Sequence, residues 1–234
     1  MGKTLDLKIL PQPTETTCGP TCLHALYRFF GDRVSLAKIA KEIPSLEDGG
    51  TLAVMLGTHA LGRGYKATIY TYNLHMFDPT WFLHEATDLR KYLIAQKKIK
   101  RDKKLRLASA AYIDFLERGG KIVFEDLTPQ LLKKILQKNQ PILTGLSATY
   151  LYRSAREIGS TNEYNSVEGE PSGHFVVLSG YDRKLKSLLV ADPFHLNPFA
   201  GSNYYWVDVQ RVISSILLGI VTYDANLLII EPKK

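Results

Sequence analysis

The chain has 234 residues, 45% hydrophobic and 23% charged, enough to bury a substantial core as an ordinary globular protein does. Two cysteines exclude a disulfide framework, and no apolar run reaches the roughly 18 residues a membrane helix needs. The net charge of +7 is concentrated in residues 90–106, RKYLIAQKKIKRDKKLR, where nine Lys/Arg face only Asp102, so the rest of the chain is close to neutral.

The first residues, MGKTLDLKILPQP, contain no apolar stretch long enough for a secretory signal, so the expected location is the cytoplasm and both thiols are expected to be free there. A helix is predicted from Cys18 through CGPTCLHALYRFF. Pro20 suits its first turn, Cys22, Leu26 and Phe29/Phe30 recur at helical spacing, and Gly31 closes it. Ser35 opens a second helix, LAKIAKEI, stopped by Pro44. Thr51 is the expected cap of a third, LAVMLGTHALGR, ended by Gly64. YKATIYTY reads as a strand. The middle is predicted helical over residues 79–98 and 105–118, the second closed by Gly119-Gly120. KIVFED is a short strand, and Thr128-Pro129 opens QLLKKILQKN.

From residue 141 strands are predicted: PILTGLS, HFVVLSGYD, SLLVADP, YYWVDV and NLLIIEP. Residues 152–173 are polar and turn-rich and read as a long loop, a kind of segment that is often functional. Helices first and strands later imply an α+β fold whose two halves face each other. Tyr150/Tyr152 and Tyr204/Tyr205/Trp206 read as core or groove wall, and Asp182 as a turn former.

The chemistry starts from Cys18. A thiol at a helix N-terminus sits at the positive end of the helix dipole, which favours thiolate. A nucleophilic cysteine also needs a base and a group that orients the base. His24 lies six residues along the same helix and does not readily face Cys18. His59, His75 and His84 have no partner pattern, and His195 sits in a turn. His174 opens a strand that continues into a hairpin. Pairing Gly180 with Lys186 sets His174 opposite Asp192 on one face, where the carboxylate fixes the imidazole tautomer. Gln12 supplies a neutral N–H₂ donor that, beside the Cys18 N–H, suits the oxygen of a tetrahedral intermediate. Cys22 faces inward with Leu26 as a core residue. A Cys18/Cys22 metal pair lacks ligands, so neither metal nor organic cofactor is expected.

The stretches QPTETTCGP, GHFVVLSGY and VADP, with GGT at 49–51 and GYKATIY, resemble the papain-like cysteine peptidases of the bacteriocin-processing, double-glycine-leader type. The resemblance covers residues 9–75 and 141–195. It implies a papain-like fold in which a helical N-terminal half packs against an antiparallel sheet from the C-terminal half. It also implies Gln12 as oxyanion donor, Cys18 as nucleophile, His174 as general base and acid, and Asp192 as orienting carboxylate. The span from Cys18 to His174 is longer than in compact members of that family. The chain is therefore expected to be a stand-alone catalytic domain over 1–234 with a basic helical insertion at about 76–120.

The function expected is cleavage of a peptide or isopeptide bond through a Cys thioester. A transpeptidase or γ-glutamyl-type transferase with the same site is the alternative, and a non-catalytic peptide-binding module is an alternative of another class. The expected partner is a peptide or protein substrate, with an acidic partner conceivable at residues 90–106. Neither nucleic acid nor a membrane span is expected, since no zinc-finger spacing or RNA-binding aromatic motif accompanies the basic run.

Overall fold

The structure is a computed structural model that describes residues 2–46, 49–84, 87–159, 161, 163–199 and 201–233. After a two-residue strand, β1 (Lys3–Thr4), come three helices, α1 (Cys18–Phe29), α2 (Leu36–Glu42) and α3 (Ala53–Gly62), and strand β2 (Tyr65–Thr71). Helices α4 (Leu89–Ile99) and α5 (Lys103–Glu117) then form a hairpin, followed by β3 (Lys121–Val123) and α6 (Pro129–Gln137). The remainder is β4 (Ile142–Ser147), α7 (Ala148–Tyr152), β5 (Glu157–Ile158), β6 (Glu163–Tyr164), β7 (Gly173–Asp182), β8 (Ser187–Ala191), β9 (Tyr204–Asp208), α8 (Val209–Leu218) and β10 (Asn226–Pro232).

Local chemistry explains most boundaries. Ser35 Oγ accepts from Lys38 N and Thr128 Oγ1 from Leu131 N, so both predicted caps form. Gly64 and Gly119, at φ +85° and +86°, end their helices in a conformation that other residues resist. Thr51 does not cap α3: its hydroxyl donates to Pro44 O, and Leu52 occupies the cap position without a side-chain bond. The helix expected over 79–98 is broken. Asp78 caps a single 3₁₀ turn at Pro79–Phe82, and Asp88 caps α4 afresh, a second start signal that the apolar spacing conceals. Residues 85–86 of that stretch lie outside the described residues. The polar segment 152–173 carries the β5–β6 ribbon, and its residues 160 and 162 also lie outside the described ones.

The main sheet runs β3-β2-β10-β4-β7-β8-β9, with β1 beside the far end of β7, and is antiparallel except for the β2–β3 pair. This α+β architecture agrees with the expected fold class, with two refinements. The N-terminal half contributes β1, β2 and β3 to the sheet, and helices cover both of its faces. The central strands β4 and β7 are buried almost throughout, which is why ILTGLS and HFVVLSG read as unbroken apolar runs. Helices α1, α3 and α5 pack on one face around Phe175, Val177 and Leu228. Helices α6, α7 and α8 pack on the other around Val176, Leu178 and Leu227. Helix α8 was hidden because VQRVISSILL directly follows a strand with no intervening breaker; Asp208 caps it by accepting from Gln210 N and Arg211 N.

Phe115, wholly buried, pins the α4–α5 hairpin to the rest. A methyl group at Gly57 or at Gly120 would run into its ring, so both positions are glycine to let α3 and the β3 approach lie against it. Phe115→Ala is expected to cost about 3–5 kcal/mol, measured by urea unfolding.

Candidate active site

Helix α1 starts at Cys18 itself. Thr17 makes no capping bond to the helix; its hydroxyl donates to Thr14 O and closes the preceding turn. Gly19 lies so close to Thr51 and Phe175 that no side chain fits there. The helix N-terminus is thereby pressed against β7, one residue from His174.

His174 reaches Asp192 through Nε2, 2.8 Å from Oδ1. The register that achieves this is not the expected one. Strand β8 pairs Asp182 with Ser187 and Gly180 with Leu189, and a bulge at Ser179 then shifts the ladder so that Val177 faces Ala191. Before the bulge the ladder is offset by an odd number of residues from the expected pairing, which would send Asp192 to the face of Val177. The bulge restores parity: Asp192, just beyond β8, continues opposite Val176 and shares the face of His174. The two residues meet diagonally rather than directly.

Asp192 has no solvent exposure. Its Oδ1 accepts from His174 Nε2 and from Phe194 N, and its Oδ2 from the hydroxyls of Tyr152 and Tyr205 at 2.7 and 2.5 Å. Its backbone is tied to Asn203, whose carbonyl accepts from Asp192 N. Burial alone would push this carboxyl up, but the His174 charge and these bonds hold it below its ordinary value. Burial and the adjacent Asp192 charge push both tyrosines far above the usual phenol range, so they stay donors. From sequence, Tyr152 and Tyr205 are indistinguishable from their neighbours. The inward half of the alternation in YYWVD is the one signal for Tyr205. Trp206 is exposed, and the Tyr204 oxygen accepts from Ile9 N.

His174 is likewise buried. Desolvation pulls its pKa down, but the Asp192 charge and hydrogen bond, then the neighbouring Cys18 thiol, raise it to about 10. With Nε2 held by Asp192, Nδ1 is the nitrogen left for sulfur. Cys18 and His174 line one cavity of about 130 Å³, together with Gly50, Lys104, Gly173 and Asp224. Sequence therefore predicts three residues, Cys18, His174 and Asp192, that the fold brings together.

Gln12 is placed nearby but differently. Its backbone N–H donates to Pro193 O, the residue after Asp192. Its side-chain Nε2 donates to Thr14 O at 3.1 Å, and Oε1 is buried without a partner. It does not line the cavity of Cys18 and His174. Cys22 is fully buried and donates to Phe175 O; burial, then the Cys18 and Asp192 charges, push its thiol well up. His59 proves to have partners, Tyr27 at 2.8 Å and Glu42 at 3.0 Å, and these join α1, α2 and α3. Among the described residues no group of three or more His, Cys, Asp or Glu is disposed to hold a metal, and no helix is long and apolar enough to cross a membrane.

Residues 121–215 match the Peptidase_C39 like family. The match spans less than half of the chain. It contains His174 and Asp192, while Gln12 and Cys18 lie outside it. A candidate C39-like peptidase from Bacillus anthracis aligns over 100% of both chains at 15% identity with a TM-score of 0.54, so the two share their fold over the whole chain. The peptidase domain of ComA from Streptococcus, a bi-functional ABC transporter of a quorum-sensing pathway, aligns over 97% of this chain and 99% of its own, at 14% identity and TM-score 0.48. Xylellain, a cysteine protease from Xylella fastidiosa, aligns over 100% and 86%, at 14% identity and TM-score 0.46. No curated protein matches the sequence.

One further carboxyl lines the cavity. Asp224 is buried, and Gly145, Gly173 and Gly219 close round it so tightly that any Cβ there would meet it. Burial raises its pKa from 3.8 to about 7, against a lowering by the Thr222 hydroxyl bond and by Lys104 and His174. Between these values the folded chain keeps a proton that the unfolded chain has released, so stability falls as pH rises from about 4 to about 7. Asp224→Asn should abolish that fall and stabilise the protein at pH 8 by on the order of 4 kcal/mol. Urea unfolding of both proteins at about pH 5 and about pH 8 measures the difference.

Proposed function

We propose that the chain is a cysteine peptidase or amide hydrolase in which Cys18 is the nucleophile, His174 the general base and acid, and Asp192 the orienting carboxylate. The observation that carries this reading is the placement of His174, which is bonded to a buried, fully hydrogen-bonded carboxylate and lines the same cavity as the thiol at the α1 N-terminus. The C39-like span supports the class of reaction.

In this mechanism His174 Nδ1 takes the Cys18 proton and the thiolate attacks the substrate amide carbon. The new C–S bond forms as the C=O π pair moves to oxygen. The Cys18 N–H and Gln12 Nε2 donate to that oxyanion. Gln12 is suited because its amide carries two hydrogens and the Thr14 carbonyl occupies one. Imidazolium then protonates the departing amine as the C–N bond breaks, leaving a thioester. Water, deprotonated by His174, hydrolyses it and the thiol is regenerated. Asp192 keeps its charge throughout, and its two tyrosine donors keep it from taking the proton.

Cys18→Ala should lower kcat/KM on a peptide substrate by about 10⁴-fold or more. Gln12→Ala should lower kcat by about 10²–10³-fold with little change in KM. An alkylating probe should label Cys18 in preference to Cys22, and His174→Ala should remove that preference. Equal, sluggish labelling of both thiols would instead mark a non-catalytic binding module. Product analysis with and without an added amine separates hydrolysis from transfer.

The pH profile gives an independent check. The Asp192 charge is what holds His174 protonated to high pH, so Asp192→Asn, which removes that charge, should move the alkaline limb of kcat/KM to lower pH. A limb that stays in place means that Asp192 does not set the imidazole.

A further inference from the structure

Most cations of the α4–α5 hairpin have no partner among the described residues. Between Lys97 and Arg106, no carboxylate of the described residues lies within salt-bridge distance of any of them; the ion pair nearest in sequence is Arg90 with Asp88. Lys98, Lys100, Arg101 and Lys103 stand exposed at the turn between the two helices. Ile99, at 77% exposure, stands among them. An apolar side chain displayed inside a block of unpaired positive charge is a costly surface for a chain that elsewhere is near neutral.

The hairpin also joins the cavity. Lys104, in the first turn of α5, lines the same cavity as Cys18 and His174. Its ammonium sits 5.1 Å from the centre of the Tyr223 ring, and the Tyr223 hydroxyl donates to Asp102 Oδ1. The base of α5 is thereby fixed to the turn that presents Asp224 to the cavity. Lys104 thus belongs both to the cavity lining and to the basic run.

We propose that the α4–α5 hairpin is an exosite that binds an acidic stretch of the peptide substrate, guiding the neighbouring bond to Cys18. The proposal rests on the peptidase reading above for what happens at Cys18, but not for the binding itself. A peptide leaving the cavity past Lys104 meets Lys103, Arg101, Lys100 and Lys98. A peptide is favoured over a lipid surface because whatever docks here also has access to the cavity. Ile99 fits an apolar residue within the acidic run. Its charges attract over a Debye length of about 10 Å at 0.1 M salt and about 3 Å at 1 M.

The test uses two fluorogenic peptides with the same residues around the cleaved bond, one flanked by a run of glutamates and the other by glutamines. The acidic peptide should be favoured by about tenfold in kcat/KM at low salt, a preference of about 1.4 kcal/mol. The preference should shrink towards parity in 1 M salt and in the triple variant Lys98→Glu, Lys100→Glu, Arg101→Glu. The charge-matched control Lys133→Glu, Lys134→Glu, Lys138→Glu, on α6 and its C-cap across the sheet, should retain it. Fluorescence anisotropy of the labelled acidic peptide on the Cys18→Ala protein measures binding without turnover. Hairpin-dependent binding with no cleavage by the wild type supports the exosite while removing the peptidase reading. Cleavage of both peptides at equal kcat/KM overturns the exosite and leaves that reading standing. Hairpin-dependent sedimentation with phosphatidylserine vesicles, without any preference for the acidic peptide, overturns it in favour of a membrane surface.

Discussion

The buried negative charge of Asp192 is the constraint to which the rest of the site conforms. A carboxylate withdrawn from water costs several kcal/mol unless donors replace the lost hydration. Here four do so, and they come from separate parts of the chain: the β7 imidazole, the backbone after Asp192, α7 through Tyr152 and β9 through Tyr205. Each donor fixes the position of the element that bears it. The result is a closed network in which the imidazole has no freedom to leave its carboxylate, and only the other ring nitrogen remains for chemistry.

The second constraint is that the partners of His174 approach from different layers. Tyr152 and Tyr205 belong to the core under α6, α7 and α8, whereas Cys18 belongs to the core under α1, α3 and α5. A residue in the middle of β7 faces one layer or the other, never both. His174 is the second residue of the strand, at the end of the sheet, where the side chain can meet groups from both layers. Gly19 presses α1 onto the neighbouring Phe175, while Gly173, just before His174, makes room for Asp224 and Thr222. The placement of His174 also explains the bulge at Ser179, without which strand parity carries Asp192 to the wrong face.

Cys18, His174 and Asp192 were legible in the sequence because each sits where a local rule is visible: a helix start with Pro20, a strand start after a polar loop, an Asp-Pro end to a strand. The strands from 141 onward were legible because β-branched and apolar runs between turn signals leave few alternatives. The exact hairpin register was not, since the turn holds residues 183–186 and a bulge then adds one residue without changing the apolar pattern. Tyr152 and Tyr205 were not, because their role depends on contacts across 40 and 13 residues. The side chain of Gln12 donates to the Thr14 carbonyl and does not line the cavity, a placement that no spacing encodes. Helix α8 escaped because its cap, Asp208, also ends a strand.

The turn before β10 shows how the hairpin and the cavity depend on each other. Tyr223 and Ala225 take left-handed conformations, φ 68° and 51°, at roughly 1–2 kcal/mol each for residues other than glycine. Between them stands Asp224, a buried carboxyl that burial makes reluctant to ionise. None of these is favourable alone. The Tyr223 ring stacks on His75, lies under Lys104 and donates from its hydroxyl to Asp102, the residue that caps α5. The Asp224 backbone N–H donates to Gly219 O, and Asn226 donates to Asp224 O. The strained turn therefore holds its shape through contacts that the hairpin supplies, and the hairpin in turn is anchored at the cavity by that turn. A surface charged enough to repel itself is kept against the cavity wall by packing rather than by ion pairs, which leaves its charge unpaired.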